Sequence, residues 1–320
     1  MTGTSRGFHL FATLAAALLA LPAAAQAQKP APAAARPRVT ILATGGTIAG
    51  AQPKPGEAGY KAGSFSVDSL IKAVPGMEKL ADVSGEQIAS IGSQDMNDAV
   101  WIKLARRVNE LQKDPTVDGI VITHGTDTME ETGYFLSLVI RSTKPVVMVG
   151  SMRPATATSA DGSANIYNAV SAAVHPKARG RGVMVLLNDE IHYAREATKT
   201  NTTQLDTFKS PNRGKAGMTN AGRVYWYDPL VSKHTSTSLF SVDGLSDLPR
   251  VEIVYAYANV GRDFIDVCVA KGCKGIVLAG VGDGNATQAA VAGLQAAIKK
   301  GVAGVGASTP QKGHTRRQVG

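Results

Sequence analysis

Three polar, glycine-containing segments could carry chemistry, because each follows a short apolar run that is typical of a buried strand. These segments are residues 44–50, 92–98 and 124–132. In open α/β sheets, ligands bind beyond the carboxyl ends of the strands, so a single crevice could gather all three loops. The sequence therefore predicts a binding or catalytic site built from these loops.

Thr47 is the candidate nucleophile of the first segment, which reads Thr-Gly-Gly-Thr-Ile-Ala-Gly. Flanking glycines such as Gly46 would expose its hydroxyl and supply backbone N–H groups for an oxyanion. A phosphate-binding loop is not indicated, because the segment lacks the Gly-Lys-Ser/Thr ending of a P-loop and the glycine spacing of a dinucleotide site. The segment favours nucleophilic chemistry over nucleotide binding.

A threonine hydroxyl is a weak nucleophile unless a neighbouring group takes its proton. Three candidates for activation are Asp127 beside Thr126, Lys199 in a desolvated position, and Tyr60 on the loop after the first segment. Each residue alone also fits a structural interpretation: the threonines as loop caps, Asp127 as the N-cap of the next helix, Lys199 as a solvated cation and Tyr60 as a loop aromatic. Their combination favours a hydrolytic site.

Four motifs resemble the signatures of the bacterial type II (periplasmic) L-asparaginases and glutaminase-asparaginases. They are TGGTIAG at 44–50, GSQDMND at 92–98, HGTDTMEET at 124–132 and TKTNTT at 198–203. The resemblance extends from about residue 39 to residue 300. It implies a two-domain α/β fold, with a larger N-terminal parallel-sheet domain and a smaller C-terminal α/β domain, a homotetrameric assembly and no cofactor.

The resemblance also implies roles for particular residues. Thr47 would attack the substrate with help from Tyr60 on a mobile lid, and Thr126, Asp127 and Lys199 would form a second triad. The implied substrate-binding residues are Gly46, Ser93, Gln94, Thr126, Asp127 and, from a neighbouring subunit, Asn285. The implied reaction hydrolyses L-asparagine to L-aspartate and ammonia through an acyl-enzyme, with L-glutamine as a second substrate.

The apolar patterning predicts the elements that position these residues. Continuous β-branched runs favour buried parallel strands, and the helical spacing of Val100, Leu104, Val108 and Leu111 predicts a helix capped by Asn97. A second helical pattern follows Asn285. The predicted strands are 39–42, 88–91, 120–123, 146–149, 183–187, 251–254 and 276–278.

Residues 228–249 lack the alternating strand and helix patterns and predict a linker between an N-terminal catalytic domain at 38–227 and a C-terminal domain at 250–320. Residues 1–27 combine a basic start, an apolar run and small residues, which is typical of a secretory signal peptide and predicts a periplasmic or secreted protein without a membrane span after cleavage. Residues 28–37 predict a flexible leader.

Composition argues against several other functions. The formal net charge is +9, but the basic residues are scattered without interleaved aromatics, so nucleic acid is not an expected partner. The six histidines lack metal-ligand spacing, and no metal site is expected. We interpret Cys268 and Cys273 as free thiols.

The sequence departs from the resemblance after about residue 301. Two glycines and a proline within 302–310 predict a weakened strand, and a basic tail stands where the family continues with an acidic loop residue, a strand and a long helix. We therefore expect an incomplete C-terminal domain.

Three alternatives to an asparaginase remain. They are a broad glutaminase-asparaginase, an impaired or inactive amino-acid-binding remnant, and an amidotransferase subunit. The export signal disfavours the third.

Overall fold

A computed structural model of the chain describes residues 35–54, 56–57 and 59–309. The predicted signal peptide, the first seven residues of the predicted leader and residues 310–320 of the basic tail lie outside the described residues. Within the described part, no helix is long and apolar enough to cross a membrane.

Thirteen strands are described along the chain. They form an eight-stranded sheet, a three-stranded sheet and a short two-stranded ribbon. Their bounds are β1 Arg38–Gly45, β2 Asp82–Ile91, β3 Gly119–Thr123, β4 Val146–Val149, β5 Val183–Leu187, β6 Glu190–Tyr193, β7 Thr198–Lys199, β8 Phe208–Lys209, β9 Gly217–Asn220, β10 Arg223–Trp226, β11 Val251–Tyr255, β12 Gly275–Gly280 and β13 Ala303–Ser308.

The large sheet has the order β10-β9-β6-β5-β4-β3-β1-β2. The strands from β2 to β5 are parallel, whereas β6, β9 and β10 extend the sheet in antiparallel pairings. The chain leaves β1 for β2 on one side and later returns to β3 on the other, so β1 lies at a topological switch point. The loops after these three strands therefore meet at one edge of the sheet.

Helices cover both faces of this sheet. Side chains alternate along β1, so that Ile41 packs in the same core as Ile166, while Leu42 packs in the opposite core with Leu104. The described residues form six α-helices, which are α1 Val67–Lys72, α2 Asp98–Lys113, α3 Met129–Val139, α4 Gly162–Val174, α5 Asp263–Ala270 and α6 Gln288–Lys299.

The sequence correctly predicted the seven strand runs and the helix after Asn97. The Asn97 side chain accepts a hydrogen bond from the Val100 N–H at 3.2 Å and caps α2 as expected. The second helical pattern is α6, although Thr287 caps it. Both cysteines are free thiols. The predicted linker contains a single short 3₁₀ turn, Thr235–Thr237.

The expectation of a weakened strand after residue 301 is wrong. β13 forms at the edge of the small parallel sheet and pairs with β12 from Gly275↔Ala303 to Gly280↔Ser308. A Cβ atom on Gly304 would lie 2.6 Å from Ile298 Cδ1, so the absence of a side chain lets α6 pack directly on the strand. The C-terminal domain, which we expected to be incomplete, retains a strand at this point.

Candidate functional site

Thr47 lies in a 3₁₀ turn, Thr47–Ala49, directly after β1, with only 7% of its surface exposed. Its Oγ1 is 2.6 Å from the phenol oxygen of Tyr60. Both are hydroxyl groups, and the contact is short enough for a proton to pass between them. The structure therefore pairs the predicted nucleophile with one of its predicted activators.

The loop that carries Tyr60 folds back so that Lys61 pairs with Ala51, just after the turn. Ala51 and Lys61 exchange two backbone hydrogen bonds of 3.1 and 2.9 Å. A Cβ atom on Gly50 would lie 2.7 Å from the Tyr60 ring, so a glycine is needed there for the ring to approach. This pairing places the Tyr60 phenol beside the Thr47 hydroxyl.

A second cluster contains Thr126, Asp127 and Lys199, which the sequence predicted to act together. Lys199 Nζ donates to Thr126 Oγ1 at 2.9 Å and to Asp127 Oδ1 at 2.5 Å. The Lys199 side chain is 17% exposed, whereas that of Asp127 is 62% exposed. Asp127 can thus hold the lysine and still offer an oxygen to a ligand. The interpretation of Asp127 as a helix cap is wrong, because α3 begins after Thr128 and no side chain caps it.

Glu130 holds the lysine of this cluster in place, and the sequence reasoning missed it. One carboxylate oxygen accepts a hydrogen bond from the Lys199 backbone N–H at 2.6 Å, and the other accepts one from the Thr198 hydroxyl at 3.2 Å. Glu130 belongs to the first turn of α3, where the helix dipole favours a negative charge. Its place one turn after Asp127 was the available signal.

The two clusters meet through glycines. Gly46 has a φ of 78°, and a Cβ atom there would lie 2.3 Å from the Gly125 nitrogen. A Cβ atom on Gly125 would lie 2.6 Å from Ser93 Oγ. Thr47 and Thr126 each follow one of these two touching glycines, so the three predicted loops do converge.

Ser93 is buried between these loops. Its Oγ accepts the Asp127 N–H at 3.2 Å, and its carbonyl accepts the Thr128 hydroxyl at 2.8 Å. The Ser93 hydroxyl hydrogen is left to donate to a ligand. The N–H of Gly46, in contrast, already donates to Ile91 O at 2.8 Å, so an oxyanion would need a different backbone donor.

Two predicted site residues lie apart from these contacts. Gln94 is exposed and contacts Asp95 at 3.5 Å, with its side chain folded against Gly92. Asn285 pairs its backbone with Val281 beyond the end of β12, and none of its described hydrogen bonds reaches Thr47 or Thr126.

A cavity of about 560 Å³ opens beside the second cluster. It is lined by Asp127, Glu130, Lys199, Thr200, Asn201 and Thr202. Its polar lining suits a small, charged ligand. Among the described residues, no group of three His, Cys, Asp or Glu side chains could hold a metal ion.

Two family models match the chain. The model described as "Asparaginase, N-terminal" matches residues 38–232, and the "Glutaminase/Asparaginase C-terminal domain" matches residues 250–320.

Individual relatives agree with these matches. A Haemophilus influenzae protein named "Probable L-asparaginase periplasmic" is 50% identical over 287 residues, which is 90% of this chain and 82% of that protein. A glutaminase-asparaginase of Pseudomonas fluorescens is 45% identical over 288 residues, 90% of this chain and 79% of that protein. The crystal structure of a "Probable Cytoplasmic L-asparaginase" from Campylobacter jejuni matches with a TM-score of 0.84 and 46% identity, covering 86% of this chain and 84% of that one.

Proposed function

This chain belongs to the asparaginase family, and from that premise we propose that it hydrolyses L-asparagine to L-aspartate and ammonia. The observation that carries the proposal is the buried Thr47 hydroxyl, 2.6 Å from the Tyr60 phenol and one residue from the glycine that touches the Thr126 loop. A hydroxyl nucleophile, a proton carrier and a charged cluster for an amino acid thus share one site.

Charge complementarity suits an α-amino acid. The exposed Asp127 carboxylate can accept hydrogen bonds from the α-ammonium group, and the Ser93 hydroxyl can donate a hydrogen bond to the α-carboxylate. Holding both α-groups fixes the direction in which the side chain extends. The side-chain amide would then lie against Thr47.

The proposed reaction has two steps. Thr47 Oγ1 attacks the amide carbon, and its proton passes through the Tyr60 hydroxyl, which can both accept and donate a proton, to the nitrogen that leaves as ammonia. Water then attacks the resulting ester, releases L-aspartate and restores the Thr47 hydroxyl. The Thr126–Lys199–Asp127 cluster supplies a second group of proton carriers beside the same substrate.

L-glutamine is a second proposed substrate. One methylene group separates it from L-asparagine, and a pocket discriminates such a difference by only about 1–3 kcal/mol. The similarity to a protein named glutaminase-asparaginase supports this extension.

Ammonia release from L-asparagine and L-glutamine tests the function directly. The unsubstituted chain should turn over, and Thr47→Ala should lose turnover while it still binds L-aspartate in a calorimeter. Binding without turnover by the unsubstituted chain would refute the proposal and identify an inactive amino-acid-binding protein. Turnover that survives Thr47→Ala and is lost in Thr126→Ala would place the nucleophile in the second cluster.

We also propose a homotetramer in which Asn285 completes a neighbouring subunit's site. Support comes from exposed apolar side chains on the C-terminal domain, where Ile253, Tyr255, Tyr257 and Phe264 are more than half exposed. Light scattering should give four times the chain mass. Inactive Thr47→Ala and Asn285→Ala chains should regain activity when they are co-expressed, because some mixed sites then carry both native residues; no gain would contradict a shared site.

Export is proposed from the signal-like residues 1–27. The relatives' names differ on this point, since one is called periplasmic and another cytoplasmic. N-terminal sequencing of the protein in a periplasmic fraction should find a start near residue 26 or 28, and an intact Met1 in the cytoplasm would refute export.

A further inference from the structure

A chain of hydrogen bonds runs from helix α2 through helix α3 to the loop of the second cluster. Trp101 Nε1 donates to Thr132 Oγ1 at 2.8 Å, Thr132 Oγ1 lies 2.9 Å from His124 Nε2, and His124 Nδ1 lies 2.7 Å from the carbonyl oxygen of Gly125. Thr132 and His124 are fully buried. None of these side chains has a role in the proposed reaction.

The direction of every bond in this chain is determined. A carbonyl oxygen can only accept, so the hydrogen of the His124 ring is on Nδ1. Burial lowers the pKa of His124 to about 4, so the ring is neutral and Nε2 must accept. Thr132 therefore donates to Nε2, and its oxygen accepts from the indole N–H, which is a donor only.

The Gly125 carbonyl at the end of this chain belongs to the tightest point of the site. The Gly125 backbone touches Gly46 beside the nucleophile, and a Cβ atom on Gly125 would collide with Ser93. The peptide group that contains this carbonyl also contains the Thr126 nitrogen. A rotation of that group would move Thr126 and disturb the contact with Gly46.

We propose that Trp101, Thr132 and His124 are positioning residues that fix the Gly125–Thr126 peptide group through one directed hydrogen-bond chain. The catalytic consequence rests on the proposed amidohydrolase function. His124 acts here as a neutral ring in a single tautomer, held by Thr132, and not as an acid or base. The chain links both helices that pack on this face of the sheet to the loop between the two threonines.

A matched pair of substitutions separates positioning from packing. Thr132→Val keeps the volume of the side chain and removes the hydroxyl, whereas Thr132→Ser keeps the hydroxyl and removes a methyl group. Positioning predicts that kcat for L-asparagine falls roughly ten- to hundredfold in Thr132→Val, with a smaller change in KM, and stays within about threefold in Thr132→Ser. A loss of kcat that follows the missing methyl group would overturn the proposal, as would equal kcat in both variants.

Two measurements test the hydrogen-bond chain itself and do not depend on enzyme turnover. Ring ¹⁵N NMR of histidine-labelled protein, with the His124 signal assigned by its loss in His124→Gln, should show hydrogen on Nδ1 alone from pH 8 to pH 5.5. Hydrogen exchange at amides 124–127 should be faster in Thr132→Val than in Thr132→Ser.

The outcomes distinguish the two proposals. An Nε2–H tautomer, a charged His124 ring at pH 6 or unchanged amide hydrogen exchange would refute the proposed hydrogen-bond chain even if the enzyme is active. Failure of the unsubstituted protein to release ammonia would refute the proposed function, while the tautomer and the exchange rates would still decide whether the chain holds this peptide group.

Discussion

The buried histidine His192 should make the fold less stable in mild acid. Its side chain is 2% exposed, Nδ1 lies 2.9 Å from Ser210 Oγ, and Nε2 lies 3.5 Å from Glu190 Oε2. Burial lowers its pKa to about 4; Glu190 opposes the shift, and Lys209 and Lys215 add to it. The folded state therefore holds His192 neutral at a pH where an unfolded chain would protonate it.

The sign and size follow from proton linkage. The pKa of an unfolded histidine is about 6.5, so between pH 6.5 and pH 4 the unfolded state binds more protons, and stability falls as the pH falls. Each pH unit in this window costs about 1.4 kcal/mol for one histidine. Going from pH 7 to pH 5 should thus lower the free energy of unfolding by about 2 kcal/mol through His192 alone, and little should be lost above pH 7.

Urea unfolding at fixed protein concentration, compared at pH 7 and pH 5, measures this effect. His192→Gln keeps a polar side chain opposite Ser210 and removes the titration, so its stability should fall by about 2 kcal/mol less than that of the unsubstituted protein over this range. His124 remains in both proteins, and its equal contribution cancels in the comparison. An identical pH dependence in the two proteins would refute the reasoning.

Three further substitutions test other parts of the structure. Tyr60→Phe removes the phenol oxygen 2.6 Å from Thr47 and should lower kcat about a hundredfold or more in a steady-state ammonia assay; a change below threefold would exclude Tyr60 as the proton carrier. Glu130→Gln can no longer accept hydrogen bonds from both the Thr198 hydroxyl and the Lys199 backbone N–H, so we expect kcat to fall about tenfold. The control is Glu131→Gln in the same turn, which should leave kcat nearly unchanged; burial raises the pKa of the Glu131 carboxyl. Gly304→Ala should lower the free energy of unfolding, measured with urea, by about 1–3 kcal/mol. Combining it with Ile298→Val, which removes the colliding Cδ1, should restore part of that loss.

The parallel core could be predicted from sequence because burial on both faces leaves a continuous apolar run. β1, β3, β4 and β5 are buried almost throughout, and each was visible as such a run. The antiparallel extension was not predicted, because strands such as β10 alternate between half-buried and exposed positions and contain charged residues. Their partners, rather than their composition, make them strands.

The sequence was enough to predict which loops form the site, but not the contacts that support its residues. The placement of three polar segments after strands indicated that they converge, and the contacts among Gly46, Gly125 and Ser93 agree with that. The support for Lys199 was not visible, because Glu130 acts on a residue 69 positions away. Contacts at such separations depend on the register of the whole sheet, which no local pattern encodes.

Glycine shows why local rules misjudged the end of the chain. Gly46 and Gly304 both lie where a side chain would collide with a neighbour, but the neighbour is a backbone in one case and the flexible end of Ile298 in the other. A glycine inside a strand weakens it by leaving an unfilled position, unless another element occupies that position. Here α6 lies against β13 and fills the space over Gly304, so the glycine that argued against a strand is the residue that allows the helix to cover it.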